Sequence, residues 1–123
     1  MSSNIDIARS MYEAFAGKDR AAAERLLAED FRFVSPLDNA LDRKSYFEIC
    51  WPNSASTASF EFKYVVQDGE RVFVTYEAAS TSGKHFRNTE ILTIRNGRIA
   101  VVEVYFGWNV PHEVPHGQHR DPA

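Results

Sequence analysis

Three carboxylates, Glu77, Glu90 and Glu103, stand in the C-terminal half of the chain where apolar and polar residues alternate. If strands bring them onto one face with Asn88 and Tyr105, they can raise one another's pKa and form an acid–base site. The plainer alternative is a polar subunit interface or a solvated outer face. Tyr12 can donate a hydrogen bond to a ligand oxygen, or pack beside Phe15 with its hydroxyl at a rim. Arg87 can grip a carboxylate or enolate oxygen through its guanidinium, or lie exposed near the start of its strand. Tyr76 and Thr89 either orient a ligand or form an ordinary cross-strand pair.

The remaining candidates carry weaker chemistry. Cys50 has no basic neighbour in sequence to lower its pKa and reads as an inert buried thiol. Trp51, just before Pro52, either lids a pocket or plugs it. His112, His116 and His119 have the spacing of metal ligands on a helix, but Pro111, Pro115 and Gly117 oppose any such helix, so no metal site is expected. His85 lies in or beside a turn, as a rim acid–base group or a solvated side chain. Phosphate-cradling glycine loops, a serine-nucleophile elbow and paired CxxC motifs are all missing from the sequence.

These side chains need elements to hold them. "NIDIARSMYEAFAGKD" sets Ile5, Ala8, Tyr12 and Phe15 at helical spacing, with Asn4 as cap and Gly17 in a left-handed terminating position. Asp19 caps a second helix, "RAAAERLLAE". "FRFVS" is a short strand stopped by Pro36. Asp42 opens a third helix, "RKSYFEICW", with Tyr46, Ile49 and Cys50 on one face, closed by Pro52. "NSASTAS" is a loop. The period then changes: Phe60, Phe62, Tyr64 and Val66 alternate with polar residues, and turns at "QDGE", "SGK" and "NG" divide four long strands. Helices segregated from an antiparallel meander define an α+β protein.

Bulk composition narrows the class. The chain has 123 residues, 14 basic against 17 acidic, and a single cysteine. That length is one domain, expected over residues 1–110, with residues 111–123 as an irregular or mobile tail. The net charge of −3 comes without a basic block, which argues against nucleic acid. No apolar run approaches the ~18 residues of a membrane span, and the N-terminus lacks a signal-peptide layout. One cysteine forms no internal disulfide, so a cytoplasmic location is expected.

The order of elements, with "YEAFAGKD", "LLAEDFRF" and "NTEILTIRNGRIAVVEVYFG", resembles the SnoaL-like group of the nuclear transport factor 2-like superfamily. The resemblance implies three N-terminal helices packed on a curved, mainly antiparallel sheet that forms a cone-shaped partial barrel with a pocket open at one end. Relatives include ketosteroid isomerases, polyketide cyclases, epoxide hydrolases, dehydratases and proteins that only bind, so the fold alone names no activity. The isomerase-type base position is similar to Ser35, before Pro36, with Asp38 and Asp42 just beyond. An epoxide-hydrolase-type carboxylate position resembles Val104. In relatives the end of the third helix forms part of the pocket wall.

Strand arithmetic predicts which residues face that pocket. With Asn96-Gly97 and Ser82-Gly83 as two-residue turns, one face carries Val74, Tyr76, Ala78, Arg87, Thr89, Ile91, Val102, Val104, Phe106 and Trp108. The other carries Glu77, Asn88, Glu90, Leu92, Val101, Glu103 and Tyr105. The resemblance makes the first face the inner one, and a one-residue bulge would reverse these assignments. The expected ligand-binding residues are therefore Tyr12, Phe15, Phe33, Tyr46, Cys50, Trp51, Tyr76, Arg87, Thr89, Val104 and Phe106, around a small, largely apolar or aromatic molecule. No cofactor is expected. Any reaction would be cofactor-free proton transfer, with Arg87 or Tyr12 stabilising oxyanion character and Asp38 or His85 moving the proton. The competing expectation is a non-catalytic binding or assembly module. In either case a homodimer through the open sheet face is expected.

Overall fold

The computed structural model describes residues 3–117 and 119. The expected N-terminal layout rests partly on Met1 and Ser2, and the expected tail on residues 118 and 120–123, which lie outside the described residues.

Helix α1 (Asn4–Ala16) begins with a capping box, Ser3 and Asp6 each bonding the other's backbone N–H, so Ser3 rather than Asn4 is the cap. Its apolar stripe buries Ile7, Ala8, Met11 and Tyr12. Gly17 ends it in a right-handed conformation, and the left-handed residue is Lys18 at φ 57°. Asp19 caps α2 (Arg20–Leu26) as expected, but the chain leaves that helix earlier, and β1 (Leu27–Ser35) already starts at the fully buried Leu27. A short strand absent from the sequence reading, β2 (Asp38–Asp42), pairs antiparallel with β1, with Ala40 at φ 55°. Asp42 then caps α3 (Arg43–Ile49) by accepting from the Ser45 N–H. Tyr46 and Phe47 are the buried pair of α3, whereas Ile49 is exposed. Trp51–Ser56 is a 3-10 helix rather than a loop, with Trp51 packed edge-on against Phe15.

Strands β3 (Thr57–Asp68), β4 (Arg71–Ser80), β5 (His85–Arg95) and β6 (Arg98–Asn109) form the meander. The sheet order is β2-β1-β6-β5-β4-β3, and β1 with β6 is its one parallel pair. The result is three helices on a curved, unclosed six-stranded sheet, an α+β architecture. Phe31, Leu27, Leu92, Ile94 and Ile99 are among the largest fully buried side chains of the core.

Several irregularities set which side chains face the helices. Lys63 is extra in β3, so Phe62 stays inside while Tyr64 and Val66 turn outward, against the simple alternation. The β4–β5 connection is longer than the two-residue turn expected at Ser82-Gly83: Ala79 pairs with His85, which places Tyr76 opposite Asn88. The Asn96-Gly97 turn forms as read, both residues at positive φ as a type I′ turn requires. Immediately after it, Ala100 is extra in β6. Gly107 is extra as well, opposite the step from Arg87 to Asn88.

The inner face of β5 and β6 is therefore Asn88, Glu90, Leu92, Val102, Val104 and Phe106. Arg87, Thr89 and Ile91 lie on the outer face with Glu103 and Tyr105, and Trp108 is turned to that side by the Gly107 bulge. The β5 phase is thus opposite to the sequence expectation, while Val74, Tyr76, Ala78, Val102, Val104 and Phe106 face inward as read.

The Gly107 bulge has no room for a side chain, since a Cβ there would stand 2.1 Å from the Arg87 carbonyl oxygen. Gly107→Ala is expected to destabilise the protein by about 1–3 kcal/mol through forced backbone displacement. Urea unfolding at constant pH, comparing the midpoints of the two proteins, measures this.

Candidate functional site

The inner faces of α1, α3, β1 and the meander enclose a cavity of about 260 Å³. Helix α1 contributes Met11, Tyr12 and Phe15, and β1 contributes Phe31 and Phe33. Tyr46 and Cys50 come from α3 and its end. The meander supplies Phe60, Tyr76 and the inner residues of β5 and β6, including Phe86 and Phe106. Ser35, Leu37 and Asp38 lie along the β1–β2 side. The lining is thus mainly aromatic and aliphatic.

One carboxylate is set into this wall. Glu90 Oε1 accepts a hydrogen bond from the Tyr12 hydroxyl at 3.0 Å, and Glu90 Oε2 accepts one from the Tyr76 hydroxyl at 2.5 Å. The network continues outward. Asn88 Nδ2 donates weakly to the Tyr76 oxygen at 3.4 Å, and Asn88 Oδ1 accepts the Gly107 N–H at 3.1 Å. The bulge that turns Trp108 outward is thereby tied to the side chain that steadies Tyr76.

Packing holds the two tyrosines where the carboxylate needs them. The Tyr12 ring lies 5.2 Å from Phe60 and 5.4 Å from Tyr76, and Phe60 lies edge-on to Tyr76 at 5.1 Å. On the opposite side, Tyr46 contacts Phe31 and Phe33 at 5.2 and 5.3 Å. Such offset and edge-on contacts fix ring orientation as well as filling space.

Removal from water raises the pKa of Glu90 above the ordinary carboxylate range, and the two tyrosine hydrogen bonds offset part of that rise. Glu90 keeps some accessible surface, but that surface opens onto the cavity. Burial also pushes Tyr12 and Tyr76 upward, and the adjacent Glu90 charge pushes them further. Both therefore remain neutral donors. Burial, assisted by Asp38, raises the Cys50 thiol to about 11, so it is not a nucleophile at neutral pH.

The sequence-derived candidates divide clearly. Tyr12, Phe15, Phe33, Tyr46, Cys50, Tyr76, Val104 and Phe106 line the cavity, as does Asp38. Trp51 does not line it, and packs behind the wall on Phe15 and Phe47. Arg87 and Thr89 are on the far side of the sheet because of the β5 phase. There Arg87 approaches Glu77 at 3.8 Å and the rings of Tyr64 and Trp108, while Thr89 bonds Thr75 at 2.8 Å. His85 is exposed at the strand start, and His112 stacks on Trp108. Among the described residues no group of side chains is arranged to hold a metal ion. Glu90 and Asn88 were assigned to the outer face by the strand arithmetic. The available signal was the even spacing Asn88, Glu90, Leu92, which pairs these polar residues with a core leucine.

Three helices on a curved, unclosed sheet are the NTF2-like fold. Within that class, a model of the SnoaL-like domain matches residues 8–102, and the chain belongs to the SnoaL-like family. An NTF-2-like protein of unknown function from Burkholderia xenovorans LB400 is 19% identical with a TM-score of 0.75, covering 98% of this chain and 96% of that one. A protein from Kribbella flavida DSM 17836 is 20% identical with a TM-score of 0.76, over 84% of this chain and 85% of that one. A hypothetical protein with a ketosteroid isomerase-like fold from Catenulispora acidiphila DSM 44928, solved in complex with trimethylamine, is 14% identical. Its TM-score is 0.69, over 82% of this chain and 85% of that one. At these identities the likeness is one of fold. No curated protein matches the sequence.

The raised pKa of Glu90 fixes the sign of a pH effect. Between the ordinary carboxylate pKa of 4.5 and its own higher value, Glu90 is protonated in the folded protein and ionised in the unfolded one. The unfolded state then binds fewer protons, so this contribution to stability is complete at low pH and is lost as pH rises through the folded pKa. The loss amounts to about 1.4 kcal/mol per unit of pKa difference. Glu90→Gln is expected to abolish that decline, and Tyr76→Phe to extend it to higher pH by removing a donor to the ionised form. Urea unfolding across a pH series, with carboxyl carbon NMR titration of Glu90, tests both.

Proposed function

We propose that this SnoaL-like protein binds a small, largely apolar molecule in its cone and carries out cofactor-free proton transfer on it, with Glu90 as the proton-carrying group. The observation that supports this is the placement of one carboxylate, held by two tyrosine hydroxyls, in an otherwise aromatic cavity. Such cavities with a few fixed polar groups are the usual form of small-molecule sites. A carboxyl group with a raised pKa exchanges its proton nearer to neutral pH than an exposed one does. Isomerisation, cyclisation and dehydration require only such proton movement, with Tyr12 and Tyr76 available as neutral donors. Asp38, on the same wall, is the second group that could take a proton. The Catenulispora protein of similar fold was solved in complex with a small molecule, trimethylamine, which supports small-molecule binding as the reading.

A panel of small cyclic ketones, aromatic alcohols and amines, screened by ligand-observed NMR, tests the binding. Each molecule that binds is then incubated with the protein in D2O, and deuterium incorporation at carbon is followed by mass spectrometry. Incorporation is expected to fall by about 10²–10⁴-fold in Glu90→Gln, the usual contribution of general acid–base catalysis. Binding without incorporation would favour a non-catalytic module instead.

The second part of the reading is assembly. On the outer face of the sheet Tyr64, Val66 and Tyr105 are each more than half exposed, alongside the outward Glu103. An apolar set of this kind on an open sheet supports a homodimer packed through that face. Tyr64→Glu together with Tyr105→Glu is expected to shift the protein to monomer while leaving the fold intact. Sedimentation velocity with circular dichroism reads both, and an unchanged sedimentation coefficient would reject this face as the contact.

A further inference from the structure

The charge balance of the cavity points to the chemistry of its ligand. Glu90 and Asp38 both line it, and among the described lining residues none is a lysine, arginine or histidine. Neither carboxylate takes part in an ion pair with a described residue: the partners of Glu90 are two hydroxyls, and the side-chain hydrogen bond of Asp38 comes from the Ser35 hydroxyl at 3.4 Å. A site for an anionic ligand would ordinarily present a cation, and Arg87, the arginine expected in that role, lies on the opposite side of the sheet. Around the Glu90 carboxylate stand the mutually packed rings of Tyr12, Tyr76 and Phe60. Aromatic rings attract alkylammonium groups through their quadrupoles, most strongly where water is excluded. The desolvated Glu90 carboxylate beside them is the counter-charge for such a cation, and no described lining side chain offers that carboxylate a positive partner.

We propose that the cone selects small organic ammonium cations, with the alkyl groups seated against the cavity-facing sides of Tyr12, Phe60 and Tyr76 and the positive charge facing Glu90. This rests on the reading of the cavity as a small-molecule site and specifies the ligand class. Two hydroxyl donors already hold the carboxylate in place, so a cation lacking N–H groups is accommodated without a further hydrogen bond.

Choline and its neutral isostere 3,3-dimethylbutan-1-ol differ by one charge at nearly constant shape, and both are titrated into the full-length protein by two-dimensional NMR. Choline is expected to bind at least tenfold more tightly than the alcohol. That ratio should fall close to one in Glu90→Gln, and by at least threefold in Phe60→Leu, which retains the carboxylate. An alcohol that binds as tightly as choline, or a preference for choline that survives Glu90→Gln, overturns the proposal while leaving a small-molecule cavity in place. Failure of both compounds to bind also overturns it, and the deuterium and panel measurements then decide the broader reading separately.

Discussion

The structure turns on a single carboxylate that two tyrosines from different elements must reach at once. Tyr12 comes from α1 and Tyr76 from β4, and Glu90 joins them from β5. A part-buried carboxylate without donors would carry the full cost of its desolvation. The helix therefore has to lie at a height and rotation that bring the Tyr12 hydroxyl to Oε1. The capping box at Ser3 and Asp6 fixes where the helix begins, and the contacts of Tyr12 with Phe60, Phe62 and Tyr76 fix how it sits on the sheet. Packing and polar satisfaction demand the same docking, which is how a sequence specifies one arrangement.

The fold was far more legible than this network. Helix caps at Asp19 and Asp42, the Asn96-Gly97 turn and the strand runs are all local signals, and each formed at or near its expected place. The phase of β5 is a different kind of quantity, because it depends on counting residues across two connections. At one end the β4–β5 loop adds residues, which shifts β5 by one against β4; at the other, the extra Ala100 shifts β6 by one against β5. The two shifts cancel. Strand β4 and β6 as far as Phe106 consequently face inward as the arithmetic predicts, β5 between them is inverted, and Trp108 is turned outward by the Gly107 bulge. That inversion moves Glu90 and Asn88 in and Arg87 and Thr89 out.

Period-two alternation could not expose the error, since both faces of β5 offer chemically plausible sets. Thr89 and Ile91 suit a wall as well as Asn88 and Leu92 do. What distinguishes them is non-local. Glu90 has two hydroxyl partners inside, contributed by residues 78 and 14 positions away, whereas Arg87 has Glu77, Tyr64 and Trp108 outside. The strand that carries the polar site is thus the one whose register is set by a long loop and a bulge. Bulges commonly re-aim side chains near functional sites, and here the Gly107 bulge also supplies the N–H that anchors Asn88.

Glu103, the carboxylate most conspicuous in the final strand, is directed away from the cavity in register with Ile91. Its neighbour in structural consequence is Glu90, and the difference between them is environment rather than residue type. An ionised carboxylate has roughly four lone-pair sites, and Tyr12 and Tyr76 occupy one on each oxygen of Glu90. The remaining sites point where no described side chain donates, beside a cavity walled by aromatic rings. The protein thus stabilises the carboxylate enough to hold its geometry but not enough to neutralise it. Those open sites are where an occupant that brought a donor or a positive charge would meet Glu90.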